Sequence, residues 1–369
     1  MDEAPRAPGA AAGGRGRDDG PCYGALDLGT NNCRLLIATP AARGFRVIEA
    51  YSRIVRLGEG LSASGRLSEA AMDRAMAALK VSAEKIRRRR VVKLKAIATQ
   101  ACRSAVKGPE FGARVAEETG LQLQIIPPRE EAQLSVAGCL NLLDRSADAA
   151  LVVDVGGGST ELSWVDLKAG GLESDVGRFS AGRLPIKAWL SIPIGVVTLA
   201  EQFPEGEAAT EAWFRAMVER VKTELAAFRR ADPFRPIFDA DRAHLIGTSG
   251  AITSLAGMHL KLPRYDRTLV DGIWMTRADC EAAADGLLHL TPAERAMQPC
   301  IGPDRSDLVL AGAAILQAVQ ELWPCNRVRV ADRGLREGIL MTLMSPGGKA
   351  RRRRRRGRGR GTSTQGAGQ

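Results

Sequence analysis

Two segments of the sequence repeat the same order of residue types, and this repeat most constrains the fold. Each segment is an apolar run carrying an aspartate, followed by glycine, then hydroxyl or amide residues, then a second apolar run. The first aspartate is Asp27 and the second is Asp154, 127 residues later, which is about one domain length. A chain of 369 residues has room for two to three domains. The repeat therefore predicts an α/β protein with two similar units.

The two glycine segments have the chemistry of a phosphate site. Glycine lets the backbone turn so that successive N–H groups point into one concavity, which suits phosphate oxygens. An aspartate at the end of a strand can hold Mg²⁺ directly or through water. A single turn of this kind also fits an ordinary β-hairpin, but two turns facing each other across a cleft would hold a phosphate chain from both sides. Each turn leads into a strand, which argues against a Rossmann or P-loop site.

A third glycine segment lies between a predicted strand and a predicted helix. Backbone amides at the start of a helix attract anions, so this segment is a candidate for a further anion contact. An ordinary strand-to-helix turn capped by its serine explains the pattern equally well. The residues concerned are Gly247, Thr248, Ser249 and Gly250.

Two further candidates follow predicted strands. Glu130 and Glu131 begin a predicted helix, where acidic side chains compensate the helix dipole. The alternative is that one of them faces the cleft and accepts a proton from water. Arg103 follows the strand predicted at 94–98 and could reach a phosphate with both arms of its guanidinium, although an arginine at such a place is usually solvated.

Charge and cysteine content exclude several classes of protein. The formal charge is +11, but residues 349–369 hold nine basic residues and no acid, so the rest of the chain is nearly balanced. Seven scattered cysteines without a CxxC pair and only three histidines argue against a disulfide scaffold or a zinc site. The N-terminus does not have a signal-peptide pattern, and no apolar run is long enough to span a membrane. We therefore expect a cytoplasmic protein without membrane contact.

Seven blocks of sequence together resemble the Ppx/GppA family of exopolyphosphatases and guanosine pentaphosphate phosphohydrolases. The resemblance runs from about residue 23 to residue 344, with the blocks in the family's order and spacing. The blocks are ALDLGTNNCRLLIA (25–38), ATQACRSA (98–105), REEAQLSVAG (129–138), VVDVGGGSTEL (152–162), PIGVVTLAEQF (193–203), IGTSGAITSLAGM (246–258) and ADRGLREGIL (331–340). The resemblance implies an α/β fold of two ribonuclease-H-like domains around a central cleft, as in the actin-like ATPase superfamily.

The resemblance also implies roles for individual residues. Glu131 matches the family's catalytic glutamate and would activate the attacking water. Asp154 would organise Mg²⁺ or Mn²⁺, with Glu161 and Asp27 as further carboxylates for the metal. Arg103 would neutralise charge on the terminal phosphate. The remaining phosphate-binding residues implied by the resemblance are Gly29, Thr30, Asn31, Asn32, Arg34, Gly156, Gly157, Gly158 and Ser159.

The expected domain organisation has four parts. Residues 1–20 form a leader without order, 21–129 form domain I, 130–331 form domain II, and 347–369 form an Arg/Gly-rich tail without order. A C-terminal helix at 332–346 is expected to return to domain I. The chain stops without the HD-type helical extension of longer family members, which implies a preference for shorter polyphosphates.

Two departures from the family pattern concern the phosphate side of the site. Asn32 stands where many members have serine, and residues 106–108 do not include the asparagine that often follows the ATxAxR block. Both leave the catalytic carboxylates in place.

Four functions remain open from the sequence. The resemblance implies a phosphoric anhydride hydrolase, first an Mg²⁺-dependent exopolyphosphatase that releases terminal orthophosphate from inorganic polyphosphate. The same site would serve the 5′-phosphohydrolysis of guanosine pentaphosphate. A polyanion-binding regulatory protein acting through the Arg tail is the alternative of another class, and a kinase or chaperone ATPase shares the fold. A homodimer is the expected assembly.

Overall fold

The computed structural model describes residues 20–42, 44–169 and 184–345. The predicted leader, apart from Gly20, and the predicted Arg/Gly-rich tail lie outside the described residues. None of the helices within the described ranges is long and apolar enough to span a membrane.

The first sheet has five strands and is formed by the N-terminal part of the chain. They are β1 (Tyr23–Leu28), β2 (Asn32–Pro40), β3 (Phe45–Ile54), β4 (Lys93–Ala98) and β5 (Leu123–Ile125). Their order in the sheet is β3-β2-β1-β4-β5. β1 is antiparallel to β2 and parallel to β4, so three meandering strands are extended by two parallel ones.

The second sheet repeats this topology and adds one short strand. Its strands are β6 (Ala149–Val155), β7 (Thr160–Asp166), β8 (Ile186–Ile192), β9 (Ala243–Thr248), β10 (Trp274–Met275) and β11 (Val328–Ala331). The order is β10-β11-β9-β6-β7-β8, which without β10 matches the first sheet strand for strand. β6 is antiparallel to β7 and parallel to β9. The expectation of an α/β fold with two ribonuclease-H-like units is confirmed.

The helices cover the faces of both sheets. They are α1 (Leu61–Ser64), α2 (Glu69–Arg88), α3 (Gln100–Ser104), α4 (Gly108–Thr119), α5 (Pro128–Cys139), α6 (Val196–Gln202), α7 (Glu211–Ala226), α8 (Arg235–Asp239), α9 (Gly250–His259), α10 (Arg267–Val270), α11 (Arg277–Leu288), α12 (Pro292–Met297), α13 (Val309–Leu322) and α14 (Leu335–Met344). α2 shows why these segments are helical. Ser68 caps its first turn by accepting a hydrogen bond from the N–H of Ala71, and its buried Met76, Leu79 and Ala83 recur every three or four residues.

The last helix returns to the first sheet. Ile339 and Leu340 of α14 are buried in one apolar cluster with Ala25 and Leu36 of β1 and β2. α14 also packs along α5, which in turn contacts β7 and β8 of the second sheet. These two helices therefore join the two sheets, and the predicted domain boundary at residue 129 stays a prediction.

Glycine lets α5 and α14 cross in backbone contact. A Cβ atom built on Gly138 of α5 would lie 1.9 Å from the carbonyl oxygen of Gly334. One built on Gly338 of α14 would lie 2.0 Å from the carbonyl oxygen of Leu134. A larger side chain at either position would force the two helices apart.

Candidate active site

The carboxyl ends of parallel strands in both sheets meet at one cavity of about 300 Å³. Such strand ends leave loop side chains and backbone groups free to bind a ligand. Residues near the ends of β1, β4, β6, β9 and β11 line the cavity, namely Asp27, Thr99, Asp154, Thr248 and Asp332.

The two predicted glycine turns face each other across this cavity. In each turn the N–H of the first glycine, Gly29 or Gly156, donates to the carbonyl oxygen three residues later at 2.9 Å. A Cβ atom on Gly157 would lie 3.0 Å from the backbone nitrogen of Asn31. The turns are thus close enough for one phosphate group to contact backbone from both.

Backbone hydrogen bonds hold both turns from behind. The N–H groups of Val55 and Arg56 donate to the carbonyl oxygen of Asn31 at 2.8 and 3.0 Å. The N–H of Val196 donates to the carbonyl oxygen of Gly156 at 3.0 Å. These bonds fix the shape of the turns without help from a ligand, which is the preorganisation that phosphate binding requires.

Four acidic side chains predicted from the sequence come together at the cavity: Asp27, Glu131, Asp154 and Glu161. Asp154 and Glu161 are direct neighbours across β6 and β7. Burial raises the pKa of Asp27 to about 6 and the pKa of Glu161 to about 7, and it also raises the pKa of Asp154. Burial, followed by repulsion from Glu161, raises the pKa of Glu131 well above its usual range. Removal from water therefore disfavours the charged forms of all four groups, and repulsion from neighbouring carboxylates adds to this for Asp27, Glu131 and Glu161.

Arg103 contacts the candidate base rather than the cavity wall. Its Nη1 atom lies 3.1 Å from Oε2 of Glu131 and also donates to the carbonyl oxygen of Ile126 at 2.7 Å. Its Nη2 atom donates to Oε1 of Gln100 at 2.7 Å. The contact between Arg103 and phosphate stays a prediction, whereas its contact with Glu131 is a feature of the structure.

The third glycine segment contributes three of its four predicted residues to the cavity. Thr248, Ser249 and Gly250 line it, whereas Gly247 packs under the side chain of Ile252. Ser249 has a φ of 147°, which L-residues rarely adopt, and its side chain accepts a hydrogen bond from the N–H of Ile252. The helix-cap interpretation of this serine is confirmed, and an anion contact stays a prediction.

The structure adds charged side chains and one tyrosine that are not among the candidates predicted from the sequence. Arg336 and Glu337 at the start of α14 line the cavity, as do Arg305 and Tyr265. Arg336 lies near Asp27 and lowers the pKa of that carboxyl, while burial lowers the pKa of Arg336 itself. The block ADRGLREGIL held a usable signal, since it is another glycine turn after a strand. Arg305 and Tyr265 follow no comparable pattern.

The carboxylates suit a cation that arrives together with phosphate. Within residues 20–42, 44–169 and 184–345, no three His, Cys, Asp or Glu side chains are arranged to hold a metal on their own. Oδ1 of Asp27 is buried and has no hydrogen-bond partner among these residues. Mg²⁺ typically takes one or two carboxylates and fills its other positions with water and substrate phosphate. Asp27, Asp154 and Glu161 fit that pattern for Mg²⁺ or Mn²⁺ if one or two of them are direct ligands.

Comparison with known proteins gives consistent matches along the chain. The model of the Ppx/GppA phosphatase family matches residues 36–346. Exopolyphosphatase 2 of Mycobacterium tuberculosis is 28% identical over 334 residues, which are 86% of this chain and 97% of that protein. The crystal structure of an exopolyphosphatase-like protein superposes with a TM-score of 0.76 at 28% identity, over 88% of this chain and 98% of the other. The Ppx/GppA family member of Aquifex aeolicus gives a TM-score of 0.69 at 27% identity, over 88% and 97% of the two chains.

Proposed function

The chain belongs to the Ppx/GppA phosphatase family, and from that premise we propose that it is an exopolyphosphatase, which hydrolyses the terminal phosphate from inorganic polyphosphate. One observation carries the proposal: a buried carboxylate cluster faces two glycine turns within one cavity. Hydrolysis of a phosphoric anhydride needs a water activated by a base and neutralisation of charge on phosphate oxygens. The cavity offers both without a histidine or cysteine nucleophile.

In this proposal Glu131 is the general base. It lies in the first turn of α5 at the cavity wall, and its raised pKa makes its carboxylate a better proton acceptor near neutral pH. Arg103 holds the carboxylate in place through Oε2. Glu131 would take a proton from the water that attacks the terminal phosphorus. The bond from that phosphorus to the bridging oxygen would break, so that the chain one unit shorter leaves with the bridging oxygen and orthophosphate is formed.

The glycine turns and nearby arginines would bind the terminal phosphate. The N–H groups of Gly29 and Gly156 are used inside the turns, so the backbone amides of residues 30–32 and 157–159 would provide the neutral donors from opposite sides. Arg34 of β2 is paired in register with Asp27 of β1. Together with Arg336 of α14, it adds positive charge at the same end of the cavity. Charge neutralisation by fixed groups is the main contribution a protein makes to phosphoryl transfer.

Asp27, Asp154 and Glu161 would surround the Mg²⁺ or Mn²⁺ of this proposal, with one or two of them as direct ligands. When bound, the metal ion would supply charge neutralisation on the phosphate oxygens. The three carboxylates themselves disfavour ionisation in this buried setting. A bound divalent cation would offset the free-energy cost of ionising these carboxyl groups. The acidic surface would therefore favour phosphate that binds together with a cation.

Other parts of the proposal rest on the sequence. We propose that the Arg tail attracts polyanions by salt-sensitive charge attraction, that shorter chains are preferred and that the chain forms a homodimer. We also propose a cytoplasmic location, which agrees with seven cysteines that are all buried and free.

The test is phosphate release by the full chain with Mg²⁺ from short polyphosphate, long polyphosphate and guanosine pentaphosphate, assayed in parallel. We expect release from polyphosphate without a nucleotide acceptor, which also argues against a kinase. Release from guanosine pentaphosphate alone would assign the alternative hydrolase. No release from any of the three would leave the polyanion-binding hypothesis, and deletion of residues 349–369 should then abolish polyphosphate binding.

A matched pair of variants tests the base. Glu131→Gln should reduce phosphate release at least about 100-fold, because a positioned base contributes that much or more. Glu130→Gln is the control, since Glu130 occupies the same helical turn but pairs with Lys95 at 2.5 Å. Equal rates for the two variants would rule out Glu131 as the base.

A further inference from the structure

A second cavity lies behind the first glycine turn. Its volume is about 360 Å³, within the range of small-molecule sites. Arg56 and Glu59 form one side, and residues of α6, α7 and α13 form the other. Asn31 and Leu308 line both this cavity and the cavity of the candidate active site, which is called the catalytic cavity below. The two spaces are therefore separated by little more than these side chains.

The walls of this second cavity are largely apolar and include two aromatic rings. Phe203, Trp213 and Met217 form part of the wall. The indole N–H of Trp213 donates to the carbonyl oxygen of Phe203 at 3.2 Å, which fixes the orientation of the indole. Aromatic faces attract cations through their quadrupole, and the attraction grows when water is excluded.

The polar groups at this cavity are mainly acceptors. Oε1 of Glu205 and Oδ1 of Asn31 are both buried and have no hydrogen-bond partner among the described residues. The carboxylate of Glu201 accepts a hydrogen bond from the N–H of Gly60 at 2.8 Å and forms no ion pair within those residues. An unpaired buried acceptor is costly, so Oε1 of Glu205 and Oδ1 of Asn31 favour a ligand that donates hydrogen bonds. Glu201 is exposed and adds a negative charge at the cavity.

Acidic side chains outnumber basic ones in the lining of this cavity. Glu59, Glu201, Glu205 and Asp307 line it, together with a single arginine, Arg56. Three of these acids already form ion pairs, Asp307 with Arg56 at 2.8 Å, Glu59 with Arg74 at 2.7 Å and Glu205 with the buried Arg295. Glu201 is the acid of the four that forms no ion pair among the described residues. A phosphate group would meet carboxylates here, so this cavity is unsuited to the anion that the glycine turns favour.

We propose that the second cavity binds a small organic cation, an ammonium group carried on an apolar or aromatic body. The ammonium group donates to the carboxylates of Glu201 and Glu205, and the body packs against Trp213 and Phe203. This binding does not depend on the proposed hydrolase activity.

The first test compares three probes of one shape and different charge. The full chain, without Mg²⁺ or phosphate, is titrated calorimetrically with tryptamine, with its alcohol analogue tryptophol and with the anion indole-3-propionate. We expect tryptamine to bind about 10-fold more tightly than tryptophol, which corresponds to one charge-assisted hydrogen bond. Indole-3-propionate should not bind. Equal binding of the three probes, or no binding of tryptamine, overturns the proposal.

Variants locate the site. Glu201→Gln should weaken tryptamine binding about 10-fold, and it is preferred to a change at Glu205 because Glu205 pairs with the fully buried Arg295. Glu207→Gln removes an exposed acid outside the cavity and should leave binding unchanged. Glu131→Gln should also leave it unchanged. Loss of binding in Glu131→Gln, or unaltered binding in Glu201→Gln, would contradict the assignment.

Discussion

Arg103 and Glu131 form an ion pair beside the catalytic cavity, with Nη1 of the arginine 3.1 Å from Oε2 of the glutamate. The arginine is held by two further acceptors, the carbonyl oxygen of Ile126 and the side chain of Gln100. Its charge lowers the pKa of Glu131 and so opposes the burial that raises it. The pair therefore controls both the position and the protonation of the candidate base.

Replacing this arginine should change the pH profile of the reaction. In Arg103→Gln the pKa of Glu131 rises further, so the acidic limb of phosphate release against pH moves to higher pH and the rate at pH 7 falls about 10-fold or more. Arg103→Lys keeps the positive charge, so its acidic limb should lie close to the pH at which it lies in the unchanged protein. If the acidic limb lies at the same pH in Arg103→Gln and in the unchanged protein, Arg103 does not control the protonation of the base.

The close crossing of α5 and α14 should be sensitive to single methyl groups. Gly138→Ala and Gly338→Ala each place a Cβ within about 2 Å of a carbonyl oxygen of the other helix or of its N-cap residue, and overpacking of this kind costs about 1–3 kcal/mol or more. The free energy of unfolding, measured in urea, should fall accordingly.

Two other helical glycines provide the control for this crossing. A Cβ atom on Gly112 of α4 or Gly286 of α11 would meet no described atom within 4 Å. Gly112→Ala and Gly286→Ala should raise the free energy of unfolding by about 0.5–1 kcal/mol, because alanine favours helix. Destabilisation of the same size in all four variants would argue against a specific contact between α5 and α14.

His244 should make stability depend on pH. It is fully buried on β9, and burial lowers its pKa from 6.5 to about 4, with Asp144 opposing this shift and Arg327 and Arg329 adding to it. The unfolded chain therefore takes up the proton first as the pH falls.

The stabilising contribution of neutral His244 is complete above pH 6.5 and is lost between pH 6.5 and about 4. Its size is roughly 3 kcal/mol. Urea unfolding at pH 7.5 and pH 4.5 should show a smaller pH dependence in His244→Asn than in the unchanged protein. The same dependence in both proteins would mean that His244 remains accessible to protons.

A divalent cation should stabilise the protein through the carboxylate cluster. Mg²⁺ or Mn²⁺ should raise Tm in the absence of substrate, because the cation offsets the repulsion among Asp27, Asp154 and Glu161. Asp154→Asn removes one buried charge, so it should raise Tm without metal and reduce the shift that metal produces. A metal-induced shift that survives in Asp154→Asn would place the ion elsewhere.

The sequence predicted the parts of the site that depend on local pattern. Asp27 and Asp154 were located because a strand followed by a glycine turn is visible in a short window, and both do reach the same cavity. Arg305 and Tyr265 were not found, since each reaches the cavity from a loop with no recurrent pattern.

Long-range pairing explains the other omissions. Strand β8 is not among the strands predicted from the sequence. It pairs with β7, and the paired residues of the two strands lie 21 to 32 positions apart in the chain. Arg103 shows a related limit, because its pairing with Glu131 joins residues 28 positions apart. Which partner an arginine chooses depends on tertiary packing, and no spacing rule encodes it.

The return of α14 to the first sheet also orders events during synthesis. Ile339 and Leu340 complete an apolar cluster that begins with Ala25 and Leu36, so the first sheet cannot bury that face until residue 340 has emerged from the ribosome. The second sheet has its strands from residue 149 to residue 331, all translated earlier than α14. The N-terminal half of the protein is thus synthesised first, but its apolar packing is completed last.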